Sequence, residues 1–121
     1  MKTVAIIGAG ITGLRASWEL VQSGRFRVVM VEKSASVGGR VATRRFEHVQ
    51  VNHGATRFDG LERIGAWDGE FTEWGAELEF PGAATDLPKK LRDRLMEHPE
   101  RFQLMTGWQA QSANGGVVSG P

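Results

Sequence analysis

The chain contains no cysteine in its 121 residues. That excludes disulfides, thiolate metal ligands and a cysteine nucleophile, and it fits a reducing compartment such as the cytoplasm. Tyrosine is also absent, proline occurs only four times, and the formal net charge is +1. A balance so close to neutral offers no electrostatic case for nucleic acid as a partner. No apolar run approaches the ~20 residues needed to cross a bilayer, so no membrane association is expected. The apolar stretch after Lys2 superficially suggests a leader peptide, but Gly8, Gly10 and Gly13 interrupt it and a polar helix follows. It reads as a strand and a turn. No histidine pair has metal-ligand spacing and no serine stands in a nucleophile elbow, so no metal site is assigned.

What is plentiful is glycine, sixteen residues placed at turns without any collagen-like period. With 40% hydrophobic and 24% charged residues, the chain can bury one modest core. Residues 1–121 are therefore read as a single domain of α/β class. Its motifs lie within 1–60, and 61–121 supply a helix at 87–97 and a strand at 101–105.

The most informative stretch is VAIIGAGITG, from Val4 to Gly13, followed about twenty residues later by VVMVEK with Glu32 near its end. A buried strand, a glycine turn opening a helix, and a second strand tipped by an acid form the arrangement that holds a dinucleotide. Gly8 allows the turn leaving the strand. Gly10 lets a pyrophosphate approach the backbone, and Gly13 lets the helix pack on the strand. The N–H groups of Ile11, Thr12 and Gly13 face the phosphates, favoured by the helix macrodipole. Glu32 accepts hydrogen bonds from the adenosine ribose, and its charge repels a 2′-phosphate, which disfavours NADP. The candidate cofactor-binding residues from this block are Gly8, Ala9, Gly10, Ile11, Thr12, Gly13, Glu32 and Lys33. The bland alternative makes the glycines turn and packing residues of an ordinary α/β unit, and it leaves the placing of Glu32 without a reason.

Along the chain, residues 3–7 read as a continuous apolar strand, as expected where helices cover both faces of a parallel sheet. Ile11, Leu14, Trp18 and Val21 recur at helical spacing over 11–23, and Gly24 is a natural stop. Residues 27–31 form a second strand parallel to the first. Residues 33–45, with Gly38 and Gly39 and several basic side chains, read as loop. Residues 46–51 read as a short strand, 53–59 as a turn, and 61–81 as having little regular structure. Asp86 is an expected N-cap with Pro88 in the first turn, and Leu87, Leu91 and Leu95 line one face of a helix ending near His98. Residues 101–105 would add a third parallel strand beside the second, and 112–121 form a hairpin or fray. Trp67, Trp74 and Trp108 are read as packing residues.

Three ordered blocks, GAGITG with Glu32, then GGRVATR, then HGATRF, together resemble the flavin-dependent amine oxidase superfamily, most closely its renalase-like branch. They span roughly the first half of the chain. The resemblance implies a Rossmann-like parallel sheet binding FAD, with hydride transfer from an amine or an NAD(P)H-type substrate to the flavin. It adds Gly39 and Arg40, whose guanidinium would meet the pyrophosphate, in two-pronged fashion, or the adjacent ribityl region, and Gly54, Ala55 and Thr56, whose backbone would pass beside the flavin. Thr56 is shorter than the glutamine common there, and Asn52 stands where an acid is frequent. His53 is not assigned as a base, because in such oxidases the cofactor carries the chemistry. No catalytic side chain is named. Without tyrosine, an aromatic cage for an amine could be built only from Phe and Trp.

Full members of that family are much longer, with a substrate domain and a later segment covering the flavin. This chain is expected to represent the nucleotide-binding portion, inactive by itself, with uncovered faces that make it a marginal monomer or a self-associating one. Two further readings remain open: an NAD-dependent reductase using the same fingerprint, against which the GGRVATR block argues, and a non-catalytic nucleotide-binding module. The small-molecule substrate is not readable.

Overall fold

β1 (Lys2–Ile7) feeds α1 (Ile11–Gln22) through the Gly8-Ala9-Gly10 turn, and α1 returns the chain to β2 (Phe26–Val31). In this computed structural model, backbone and side chains are described over residues 1–39 and 88–121. Between them the description covers the backbone of short elements at 43–45, 50–52, 57–58, 72–74, 77–79 and 86–87. β1 and β2 pair in parallel from Lys2 opposite Phe26 to Ile7 opposite Val31. The short elements are β3 (Thr43–Arg45), β4 (Gln50–Asn52), β5 (Arg57–Phe58), β6 (Thr72–Trp74) and β7 (Glu77–Glu79). Then α2 (Asp86–Met96) leads into β8 (Phe102–Met105), and the chain ends in β9 (Ser112–Asn114) and β10 (Val117–Ser119).

The parallel sheet has the order β1-β2-β8, with Val28 opposite Phe102 and Met30 opposite Leu104. The expected third parallel strand is therefore present and sits beside the second. This is a Rossmann-like α/β arrangement, the 3-2-1 half of a doubly wound sheet.

Register explains which face is buried. Val4, Val28 and Phe102 share one side of the pleat, as do Ile6, Met30 and Leu104. Val28, Met30 and Phe102 belong to the core with Leu14 and Val21 of α1 and Leu91 and Leu95 of α2, while Ile6 and Leu104 pack against it. The other side of the pleat carries Ala5, Val29 and Gln103, then Ile7, Val31 and Met105. There Ile7 is 55% exposed, so the continuous apolar strand is not covered on both faces among the described residues. Both helices lie against the Val28–Met30 side.

The first helix stops where expected. Gly24 adopts φ +71°, its N–H donates to Val21 O at 3.1 Å, and Arg101 Nη1 donates to the same carbonyl at 2.9 Å. Ser17 is fully buried within α1 without cost, because its hydroxyl donates back to Gly13 O at 2.9 Å. α2 begins at Asp86 itself and ends at Met96, two residues before the expected stop near His98. Pro88 is buried in its first turn.

Other expectations are corrected. Residues 33–45 are not loop throughout, since Thr43–Arg45 pairs antiparallel with Gln50–Asn52. Residues 57 and 58, read as part of a turn, pair with β7, which also pairs with β6, so the stretch 61–81 contains two strands. These strands are only two or three residues long. Antiparallel strands tolerate polar and charged residues, so TRR and TEW give no apolar alternation to read. The expected strand at 46–51 is represented by Gln50–Asn52, and residues 46–49 lie outside the described residues. At the C-terminus, β9 and β10 form the antiparallel hairpin that was one of two alternatives.

Candidate functional site

The turn between β1 and α1 is shaped by two glycines for different reasons. Gly8 adopts φ +99°, a region costly for any residue with a Cβ. A Cβ on Gly13 would lie 2.2 Å from Gly8 O, so only glycine lets the helix start sit this close to the strand end. At Gly10 the opposite holds: a Cβ there would meet nothing within 4 Å. Packing does not require glycine at position 10, and the open space beside its backbone is available to a ligand.

Gly10 is the N-cap of α1 and makes no side-chain capping bond, and the first turn holds no acidic residue. Leu14 N–H is the first to find its helical acceptor, Gly10 O at 3.0 Å. The N–H groups of Ile11, Thr12 and Gly13 precede it and have no intrahelical partner by construction. Together with the macrodipole they make a positive, anion-favouring end.

Ala9 is fully buried, and both its main-chain groups brace neighbouring segments. Its N–H donates to Glu32 Oε1 at 2.9 Å, and its carbonyl accepts Gly38 N–H at 2.8 Å. The second bond brings Gly38 and Gly39 against the turn, where Gly10 and Gly38 form a bridge and a Cβ on Gly39 would be 3.3 Å from Gly10 Cα. The glycine pair that opens GGRVATR thus lies against the first glycine turn.

Glu32 follows β2 and is only 9% exposed. Oε1 accepts the Ala9 N–H, while Oε2 accepts Ser34 N–H at 2.8 Å and faces the Ser34 hydroxyl at 3.0 Å. Burial alone would push this carboxyl up. The hydrogen bonds from Ser34 N–H, Ala9 N–H and the Ser34 hydroxyl, with the Lys33 charge, outweigh that and hold it below the ordinary value, so Glu32 is an anion. The Ser34 hydroxyl also lies 2.8 Å from Ser36 O, and its single proton serves one acceptor at a time. With that proton on Ser36 O, each carboxylate oxygen keeps one acceptor position free. A vicinal diol carries the two donors that match.

Ile7, Gly8, Val31, Glu32 and Lys33 line a cleft of about 260 Å³ at the carboxyl ends of β1 and β2, and Trp108, Gln109 and Ala110 complete its lining. Sequence reasoning missed this second wall and took Trp108 for a packing residue. The correction is that Trp108 is half-buried and lines the cleft instead of joining the core. β8 delivers it there: Glu32 N–H donates to Met105 O at 2.8 Å, and Trp108 N–H donates to Glu32 O at 3.0 Å. Ser34, whose N–H and hydroxyl meet Glu32 Oε2, was missed as well.

Of the expected site residues, the fold gathers Gly8, Ala9, Gly10, Ile11, Thr12, Gly13, Glu32, Lys33 and Gly39 around the glycine turn and the cleft beside it. Arg40, Gly54, Ala55 and Thr56 lie outside the described residues, as does His53. Among the described residues, no group of three or more His, Cys, Asp or Glu is placed to hold a metal, and no helix is long and apolar enough to cross a membrane.

Comparison with known proteins agrees with this geometry. The chain is 43% identical over 60 residues to polyamine oxidase 1 of Oryza sativa subsp. japonica, covering 48% of this chain and 12% of that protein. It is 31% identical over 134 aligned positions to tryptophan 2-monooxygenase of Pseudomonas savastanoi, covering 97% of this chain and 23% of that protein. The chain thus spans less than a quarter of the length of these relatives. The crystal structure of CtdE, a complex with FAD and a substrate, superposes with a TM-score of 0.60 at 12% identity, over 99% of this chain and 35% of that one, and shows a shared fold. The profile of the NAD(P)-binding Rossmann-like domain matches residues 6–68, from the end of the first strand through the glycine turn, the acid and the second glycine loop. With that match over half its length, the chain belongs to the NAD(P)-binding Rossmann-like domain family.

Proposed function

We propose that this chain is the adenosine-diphosphate-binding unit of a flavin-dependent oxidoreductase of the amine oxidase type, with FAD as its cofactor. The observation that carries the reading is a single hydrogen bond, Ala9 N–H to Glu32 Oε1 at 2.9 Å. It ties an anion-favouring helix start to a carboxylate with acceptor capacity to spare. A diphosphate and an adenosine ribose need those two features side by side.

In this reading the N–H groups of Ile11, Thr12 and Gly13 bind the diphosphate, which reaches them through the open side of Gly10. Glu32, kept ionised by Ser34 and Ala9, takes the ribose diol and orients the nucleotide. Arg40, next after the glycine pair, adds a guanidinium to the diphosphate. Gly54, Ala55 and Thr56 pass beside the flavin. When bound, FAD supplies acceptance of a hydride from an amine or an NAD(P)H-type substrate. Similarity to polyamine oxidase and tryptophan 2-monooxygenase supports the amine oxidase assignment, and the GGRVATR block supports the renalase-like branch within it.

Titration of the purified protein with FAD, NADH and NADPH, followed by flavin fluorescence and calorimetry, tests the reading. Saturable binding of FAD with a Kd in the micromolar range or below, tighter than NADH, is expected. NADPH should bind weakest, because its 2′-phosphate faces the Glu32 anion. Absence of FAD binding at tens of micromolar refutes the proposal. NADH binding tighter than FAD moves the chain to the nicotinamide-dependent reductases.

A further inference from the structure

The cleft beside Glu32 is about 260 Å³, below the ~300–1,000 Å³ of pockets that enclose a drug-sized ligand. It accommodates one end of a dinucleotide. Among the residues that line it with Glu32, the one aromatic side chain is Trp108.

Trp108 is held from two directions. Its backbone is fixed to the sheet through the bond to Glu32 O, and Gly107 N–H donates to Ser34 O at 2.9 Å. Its ring is met by the last turn of the chain. A Cβ on Gly120 would lie 2.5 Å from Trp108 Cζ2, 2.7 Å from Cη2 and 2.8 Å from Gln109 O. Gly120 directly follows β10, and the hairpin that carries it is anchored to the same segment by Gln111 N–H donating to Ser119 O at 2.8 Å. No side chain fits at position 120 unless both the indole and the Gln109 carbonyl give way.

Resting on the nucleotide-binding reading above, we propose that Trp108 is the wall against which the adenine base packs. Gly120 is the positioning residue that lets the terminal hairpin press the indole into place. The hairpin β9–β10 thereby becomes part of the nucleotide site, although none of its own residues lines the cleft. Every base has a π-face, so this wall favours a nucleoside diphosphate over a sugar phosphate without demanding one particular base.

The test measures ADP and inorganic pyrophosphate binding by calorimetry in the full chain and in W108A, W108F, G120A and W108F/G120A. Aromatic–base stacking predicts that W108A weakens ADP by about 10-fold or more, while W108F stays within roughly 3-fold. Pyrophosphate carries no base, and its affinity should be unchanged in W108A. G120A should weaken ADP by displacing the indole. In the W108F background the indole atoms that meet position 120 are gone and only the contact with Gln109 O remains, so the same substitution should cost less. That non-additivity separates a positioning role from general damage to the hairpin. Wild-type protein that binds neither ADP nor FAD overturns the underlying reading. Wild-type binding of ADP with no loss in W108A, or equal G120A losses in both backgrounds, overturns this inference and leaves the reading intact.

Discussion

Gly10 and Gly13 stand three residues apart in one motif, and the structure separates their roles by space alone. At position 10 a methyl group meets no atom within 4 Å, and φ is −74°, a value any residue adopts. Gly10→Ala should therefore leave the fold intact. The lower entropy of the unfolded chain, about 0.4–1 kcal/mol in its favour, is opposed by the poorer capping of alanine at an N-cap, so Tm should stay within a few degrees of wild type. The same methyl would stand between the helix start and an approaching diphosphate. Losing one charge-assisted hydrogen bond costs ~1.5–3 kcal/mol, which weakens ADP roughly 10- to 150-fold. Gly13→Ala does the reverse. Its methyl would lie 2.2 Å from Gly8 O, about 1 Å inside ordinary contact, so the first turn of α1 must lift from β1. Overpacking of that kind costs ~1–3 kcal/mol, and the Tm of a domain this size should fall by roughly 4–12 °C. Differential scanning fluorimetry and calorimetric ADP titration on the two variants read both quantities. A Gly10→Ala protein that binds ADP as tightly as wild type would show that the diphosphate does not lie against this turn. A Gly10→Ala protein that melts well below wild type would show that the space is not open.

Glu32 has a carboxyl held below its ordinary value, so its hydrogen bonds stabilise the fold fully above the unfolded pKa of ~4.3 and are lost as pH falls through the lower folded value. Glu32→Gln should cost about 1–2 kcal/mol in urea denaturation at pH 7, with the gap closing below about pH 4, whereas a gap independent of pH from 3 to 7 contradicts the assignment. Arg101 Nη1 caps the C-terminal end of α1 through Val21 O, remote from the cleft. Arg101→Met should lower stability by about 1 kcal/mol and leave ADP affinity unchanged, and a loss of affinity at equal stability would count against the separation of the two.

The part of the fold legible in the sequence is the part that repeats one physical pattern over several residues. Residues 3–7 and 27–31 read as strands because apolar runs of that length between glycine and polar breaks have few other uses, and both are observed, each one residue longer at its start. Leu91 and Leu95 announced the buried side of α2 by their spacing. Burial on the second face of β1 did not follow. Apolar content shows what a strand can bury, not what packs on it, and Ile7 is left open. The short antiparallel strands escaped for another reason: Thr43-Arg44-Arg45 owes its extension to pairing with β4, and no local propensity advertises it.

The site divides along the same line. Its glycines and Glu32 were legible because each answers a demand made within its own segment: a positive φ at Gly8, a close approach at Gly13, an acid at the tip of a strand. Trp108 answers a demand made elsewhere. It reaches the cleft because β8 pairs with β2 in a register that puts Met105 opposite Val31, so the residues beyond run past Glu32. Shift that register by one residue and a different side chain would line the cleft beside Glu32, with the local sequence around Trp108 unchanged. Gly120 is further removed, since its requirement for glycine comes from the indole of Trp108 and the carbonyl of Gln109, on the segment between β8 and β9. One wall of the cleft is thus written in a motif and a second in a strand pairing. Substitutions in the second wall should change nucleotide affinity while leaving every recognisable motif of the chain intact.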